Sequence, residues 1–356
     1  MLNVEGFDHE RLEIFHDAQT GVTGAVAIHS TALGPAMGGL RLNAYESLST
    51  AVQDALRLSG AMSLKNAAAG LALGGGKAVL VDDGHWDSAA LRAQRMQAVG
   101  RVVRDLRGRY VTAEDVGTTP EDMRQIATET EWVAGRPVDR GGRGDPSPAT
   151  AMTVFGAIRT AVTRAFDGRE LAGVHVGVQG AGHVGGVLVG LLRQAGARVT
   201  VTDVDGRRAA DVAAATGAEA VEAPGFLTRP FDVLAPCALG QVIDSAIVGR
   251  LRCKVVAGAA NNQLTLAEVA DDLARAGVLW VPDFIANCGG IIHVGAEPLG
   301  LSDAEVAELL DQAQRRTADV LDEATATGRT PAAVAVELAE RRIAGAADAG
   351  AVWAKA

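Results

Sequence analysis

The chain has 356 residues, 48% of them hydrophobic, with 43 glycines and a formal net charge of −10. This length predicts roughly two domains, each with its own core, and an acidic chain without a Lys/Arg tract argues against nucleic-acid binding, whose affinity comes from clustered positive charge. Cys237, Cys253 and Cys288, with no Cys-x-x-Cys spacing, argue against a disulfide scaffold or zinc module and fit a reducing cytoplasm.

The N-terminal stretch lacks a signal-peptide pattern, and no window reaches eighteen uninterrupted apolar residues, so neither export nor a membrane span is expected. Leu12–Phe15 and Val22–His29, separated by Thr20-Gly21, predict a β-hairpin. Apolar residues from Leu48 to Leu64 recur at helical spacing. Gly70–Gly76 reads as a glycine-rich loop before a short buried strand from Lys77 to Val81, and Met37–Arg41 as another loop of close backbone approach. A helix over 88–107 and a strand from Tyr110 complete an α/β first domain. The segment 135–148, dense in Gly, Pro and charge, reads as an interdomain linker. Beyond it, a helix near 149–166 precedes strands at 174–178, 198–203, 231–234 and 253–257, with a helix at 206–216. This alternation implies a parallel, doubly wound sheet. Ser302 with Glu305, and Thr330-Pro331, mark two further helix starts. The predicted domains are 1–145, joined by 326–356, and 146–325.

Gly180-Ala-Gly182-His-Val-Gly185 follows the strand at 174–178, opens an apolar helix, and precedes an acid, Asp203, at the end of the next strand. Gly180 permits the tight turn, Gly182 admits a pyrophosphate, and Gly185 allows helix–strand packing. The helix N-terminus offers unpaired N–H groups to the phosphates. Asp203 suits the adenosine ribose and repels a 2′-phosphate, which favours NAD, although Arg207 and Arg208 lie close by. His183 and Val184 complete the turn.

Lys77 follows three glycines, but Leu71 and Ala78 break the phosphate-loop pattern. A lysine at a buried strand mouth, with Lys65 as a neighbouring cation, would have a lowered pKa. Glu114 and Asp115 end the strand from Tyr110, and at most one of them faces a given ligand.

Together GPAMGGLR, AMSLKNA, GGGKAV, TAEDVGT, GAGHVGG, AGAANNQL and NCGGIIHV, in this order over roughly residues 25–300, resemble the amino-acid dehydrogenase superfamily of glutamate, leucine, valine and phenylalanine dehydrogenases. The resemblance implies a catalytic α/β domain plus a Rossmann domain with the active site in the cleft between them. It also implies NAD-dependent, reversible oxidative deamination of an L-amino acid to a 2-oxoacid and ammonia. A cytoplasmic homo-oligomer is expected, with no metal. On the matching positions, Lys65 resembles the residue that holds the substrate carboxylate, Lys77 the low-pKa lysine that assists water, and Asp115 the acid/base at nitrogen. Gly39 would offer backbone contact, and Asn262, with Asn261 as the neighbouring candidate, would lie near substrate and nicotinamide ribose. Thr150 would sit near the carboxamide.

Glutamate-specific relatives carry lysine where this chain has Met37, so a second carboxylate would be left without a cation. The implied apolar pocket comprises Met37, Leu40, Met62, Ala113, Ile291 and Val294. Ala113, Ile291 and Val294 resemble the leucine and valine enzymes, whereas IIHV and GAEPLG are closer to the phenylalanine enzymes. A branched-chain substrate is expected, with phenylalanine as the alternative and a non-catalytic NAD-binding regulator as a reading of another class. A 2-hydroxy-acid oxidoreductase would need a His/Arg pair, and none stands out. His183 and His293 are not expected to be catalytic, and Cys288 has no neighbouring base to activate it.

Overall fold

Alternating side chains and the Thr20-Gly21 turn bring β1 (Arg11–His16) and β2 (Thr23–Ser30) into an antiparallel hairpin. After β3 (Ala36–Asn43), Ser47 caps α1 (Leu48–Ala68), its side chain accepting from the Thr50 amide at 3.1 Å. Then come β4 (Gly74–Val81), α2 (Ala89–Asp105), β5 (Tyr110–Glu114) and α3 (Pro120–Ile126), which starts on a capping box of Thr119 and Asp122. The strands form one mixed sheet in the order β1-β2-β4-β3-β5, with β3 parallel to both β4 and β5. The computed structural model describes residues 8–348.

Strand alternation sorts this sheet into two faces. Ala25, Ala27 and Val79 pack against Ala51, Val52 and Ala55 of α1. Val26, Ile28, Leu40, Leu42, Ala78, Leu80 and Tyr110 pack against the apolar sides of α2 and α3. Each fully buried aliphatic side chain contributes about 1.5–3 kcal/mol relative to exposure.

The glycine runs differ from the expected loops. Gly74, Gly75 and Gly76 are the first residues of β4, and Gly38 and Gly39 lie inside β3. They are in strands because neighbouring groups occupy the space a side chain would need. A Cβ on Gly75 would lie 2.1 Å from Ser63 Oγ of α1, one on Gly76 2.7 Å from the Tyr110 ring, and one on Gly38 1.8 Å from the Gly76 carbonyl oxygen. The end of α1 is closed from far along the chain. The Arg342 guanidinium donates to the carbonyls of Ala67, Gly70 and Leu71 at 2.7, 2.9 and 3.0 Å, adding a donor to Ala67 and supplying one to the two acceptors just past the helix.

The chain then continues through α4 (Ser147–Ala165), β6 (His175–Gln179), α5 (His183–Gln194), β7 (Arg198–Thr202), α6 (Gly206–Thr216), β8 (Glu219–Ala220) and β9 (Val233–Pro236). It proceeds through α7 (Ser245–Val248), β10 (Val255–Val256), α8 (Val269–Arg275), β11 (Leu279–Trp280) and α9 (Asp283–Ala286). These six strands are all parallel, in the order β11-β10-β9-β6-β7-β8. Numbered from β6, this is the Rossmann order, with its switch point between β6 and β9. Three helices end the described chain: α10 (Gly289–Leu299), α11 (Asp303–Thr327) and α12 (Pro331–Asp348).

Two compact units result. One holds the described residues up to Gly144, His293–Asp303 and the described residues from Ala339 onward; the other holds Asp145–Ile292 and Ala304–Leu338. Of the four boundaries, two fall inside α10 and α12, one after the first residue of α11, and one between Gly144 and Asp145, ahead of α4.

Candidate active site

In the first unit, Lys77 stands on β4 on the α1 face of the sheet, only 4% exposed. Its Nζ donates to Asp115 Oδ2 at 2.8 Å. Asp115 follows directly on β5, and its backbone N–H donates to Thr118 Oγ1 at 3.0 Å. Thr118 in turn donates to the Leu40 carbonyl at 2.9 Å, so the turn after β5 is pinned to β3. Burial pushes the Lys77 pKa down; the Asp115 carboxylate opposes this and the Arg41 guanidinium adds to it. For Asp115 burial pulls upward, but Lys77 and Arg41 overcome it and hold the carboxyl below its usual range.

Arg41 is the residue that sequence reasoning missed. Its Nε donates to the same Asp115 Oδ2 at 2.9 Å, and its Nη1 reaches Asp54 Oδ2 at 3.3 Å. Arg41 is thus a cation beside Lys77 that lowers its pKa. The signal was available: Arg41 lies two residues beyond Gly39 on a strand, and so on the same face.

Gly39 pairs with Ala113 across β3 and β5, and a Cβ on Gly39 would lie 2.6 Å from Asp115 Cβ. Ala113, 7% exposed, shares the Lys77 face, as does the fully buried Met37. Met62 and Lys65 lie half-buried on α1. Leu40 is a correction. It belongs to the opposite face, buried with Ala78 and Leu80 against α2 and α3, because strand alternation turns it away from Lys77. Glu114 also alternates away from Asp115; burial and the charges of Asp122 and Asp115 raise its pKa. Val294, half-buried, and His293, hydrogen-bonded to the Arg143 carbonyl at 3.0 Å, lie on the part of α10 in this unit.

In the second unit, Gly180 turns the chain after β6 at φ +107, a conformation that strongly favours glycine. A Cβ on Gly185 would lie 1.9 Å from the Gly180 carbonyl oxygen, so this glycine lets α5 approach the turn. By contrast, a Cβ on Gly182 would meet nothing within 4 Å. Gly182 is the N-cap of α5, with no side-chain capping bond; exposed His183 and half-buried Val184 follow it. Open space before uncapped helix amides fits a pyrophosphate. Asp203, just past β7, accepts from the Ala181 and Asp205 amides at 2.8 and 2.9 Å. Those bonds fix the carboxylate beside the glycine turn.

Thr150 on α4 donates to the Pro146 carbonyl at 3.0 Å. Asn261 and Asn262 are exposed; the Asn261 side-chain oxygen accepts from Asn287 at 2.8 Å. The Asn262 amide, at φ +52, donates to Asp283. Ile291 is half-buried and Cys288 fully buried, while burial pushes the Cys237 thiol up to about 12. Among the described residues no cluster of three or more His, Cys, Asp or Glu is arranged for a metal, and no helix is long and apolar enough to cross a membrane.

A Rossmann-ordered sheet with an open glycine turn, and a separate sheet carrying a buried Lys–Asp pair, define a two-domain α/β oxidoreductase. Residues 9–132 match the family described as Glu/Leu/Phe/Val dehydrogenase, dimerisation domain, and residues 202–350 match Glutamate/Leucine/Phenylalanine/Valine dehydrogenase. The chain belongs to the Glu/Leu/Phe/Val dehydrogenase family. It is 40% identical over 340 residues to leucine dehydrogenase of Thermoactinomyces intermedius, covering 96% of this chain and 92% of that one. It is also 40% identical over 346 residues to valine dehydrogenase of Streptomyces virginiae, covering 94% of each. The crystal structure of L-tryptophan dehydrogenase from Nostoc punctiforme matches with a TM-score of 0.86 at 34% identity, over 97% of this chain and 98% of that one. The protein is an amino-acid dehydrogenase of the leucine/valine branch, in a family that uses NAD(P). Its dimerisation domain implies an oligomer.

Proposed function

We propose that the protein catalyses the reversible, NAD-dependent oxidative deamination of a branched-chain L-amino acid, leucine or valine, to its 2-oxoacid and ammonia. The observation that carries this reading is the buried Lys77–Asp115 pair, 2.8 Å apart on the sheet face that also bears Gly39 and Ala113. In this reading Lys65 binds the α-carboxylate and the Gly39 backbone contacts the substrate. Ionised Asp115 takes a proton from the substrate ammonium, freeing the nitrogen lone pair to stabilise positive charge as hydride leaves Cα. Neutral Lys77 then assists water onto the imine carbon. Asp115 returns a proton to nitrogen as ammonia departs.

Gly180, Gly182, His183, Val184, Gly185, Asp203, Thr150 and Asn261 or Asn262 would hold the dinucleotide, which when bound supplies the hydride acceptor. The uncapped α5 terminus suits its phosphates, and the Asp203 carboxylate suits an unphosphorylated ribose. Uncharged, buried Met37 leaves a second substrate carboxylate without a cation and disfavours glutamate. Met62, Ala113 and Val294 complete the proposed pocket of a cytoplasmic homo-oligomer.

Reductive amination of 3-methyl-2-oxobutanoate, 4-methyl-2-oxopentanoate, phenylpyruvate and 2-oxoglutarate with NADH tests the reading. The branched-chain acids should give the highest kcat/KM. A methylene or two is worth only ~1–3 kcal/mol in an apolar pocket, so their turnover should overlap. A preference for phenylpyruvate would favour the phenylalanine alternative, and no turnover of any acid would favour a non-catalytic NAD-binding regulator. Asp203→Asn should raise the NADPH/NADH activity ratio about tenfold, the effect of one charge-assisted hydrogen bond. An unchanged ratio would remove Asp203 from the ribose.

A further inference from the structure

We propose that Arg41 is a positioning residue for the deamination: it fixes Asp115 Oδ2 whatever the charge on Lys77, and so keeps Oδ1 presented to the substrate nitrogen. The inference rests on the dehydrogenase reading above and adds a residue to it.

Both Lys77 Nζ and Arg41 Nε converge on Oδ2, at 2.8 and 2.9 Å, while Oδ1 accepts no hydrogen bond from any described residue. The two donors differ in one chemical respect. The lysine must be neutral when it assists water, and its hold on Asp115 then weakens to that of a neutral amine. A guanidinium does not deprotonate in proteins. With Lys77 alone, the carboxylate would lose its main restraint at the step where its orientation matters.

Arg41 is itself braced. Asp54 of α1 accepts from Arg41 Nη1 at 3.3 Å, from Arg57 Nη2 at 2.7 Å and from Tyr45 Oη at 2.8 Å. The result is a line of alternating charge, Arg57–Asp54–Arg41–Asp115–Lys77, running from α1 across β3 to β4. Burial and the hydrogen bond to Asp54 raise the Tyr45 hydroxyl pKa, so Tyr45 remains a donor. The charged and titratable groups around Asp115 are therefore Lys77 on β4, Arg41 on β3 and Asp54 on α1, with Arg57 behind Asp54. Tyr45, Tyr110 and the adjacent Glu114 are further titratable groups in its surroundings among the described residues.

The sign of the effect follows from charge. Removing the Arg41 cation favours protonation of Asp115 and also of Lys77, so both pKa values rise. Arg41→Met should lower kcat roughly tenfold to a hundredfold, the scale of a misplaced catalytic group, while KM for the 2-oxoacid stays within about threefold. Both limbs of the pH–kcat/KM profile should move to higher pH by about one unit. Arg41→Lys should return the limbs towards the wild type but recover only part of kcat, because an ammonium lacks the fork that spans Asp54 and Asp115. A merely structural role would lower activity without moving the limbs, and that result overturns the proposal.

If Arg41→Met does not fold, Asp54→Asn carries the test. It leaves the Arg41 charge less compensated and should move the limbs to lower pH, and unmoved limbs would again overturn the proposal. Titration of the Asp115 carboxyl by 13C NMR, assigned with Asp115→Asn, reads the same effect without turnover. A wild type inactive on every 2-oxoacid defeats the dehydrogenase reading. An Asp115 titration unchanged between wild type and Arg41→Met defeats the role of Arg41.

Discussion

Lys77→Ala is expected to reduce deamination turnover by roughly a thousandfold, within the 10²–10⁴ range of general acid–base catalysis, and to leave dinucleotide affinity unchanged. Lys77 sits in the first unit, where its Nζ donates to Asp115. The glycine turn and Asp203 belong to the other unit, where Asp203 accepts from the Ala181 and Asp205 amides. Steady-state kinetics with leucine and valine, together with calorimetric titration of NAD, separate the two quantities. Lys77→Met preserves volume in the 4%-exposed site and should be as inactive as the alanine variant. If instead the methionine variant turned over at near-normal rates, the assignment of Lys77 would be wrong.

Gly38→Ala is expected to cost about 3 kcal/mol of stability, at the upper end of ordinary overpacking, and to lower Tm by roughly 6–12 °C. The new methyl would lie 1.8 Å from the Gly76 carbonyl oxygen, and that obstacle is backbone rather than a side chain able to rotate. Gly76 cannot retreat freely, because the space on its own side-chain face is filled by the Tyr110 ring. Gly182→Ala makes a sharp contrast. Its methyl meets nothing within 4 Å, so the loss should stay below about 1 kcal/mol, the scale of an N-cap exchange. Thermal unfolding of the two variants side by side checks the prediction, and equal losses would contradict it.

These glycines show where sequence reading succeeded and where it stopped. The turn from β6 through Gly180 and Gly182 to α5 was legible because strand, turn, helix and the following acid adjoin in sequence, and each imposes a residue type. Gly74–Gly76 invited a loop because a glycine records only that something is close, not what. Their actual neighbours, Ser30, Ser63 and Tyr110, are distant in sequence. Leu40 belongs to the pocket that the family resemblance implies, but in strand β3 alternation sends Leu40 to one face and Arg41 to the other. Strand alternation places Arg41 on the Gly39 face, but its partnership with Asp115 spans 74 positions, and a local pattern names a face without naming the partner. The edge strands β8 and β11, two residues each, are too short to show any period.

The clamp of Arg342 on the end of α1 bears on how the protein is made. The contact joins residues up to 275 positions apart. At 5–20 residues per second, a ribosome needs roughly 14–55 s to supply that arginine after Ala67 has been made. The unit synthesised first is therefore completed last. Until the closing helix arrives, the Gly70 and Leu71 carbonyls just past α1 are left to water, close behind the helix that bears Lys65. In a cell this is the interval in which chaperone protection would matter most to the nascent chain.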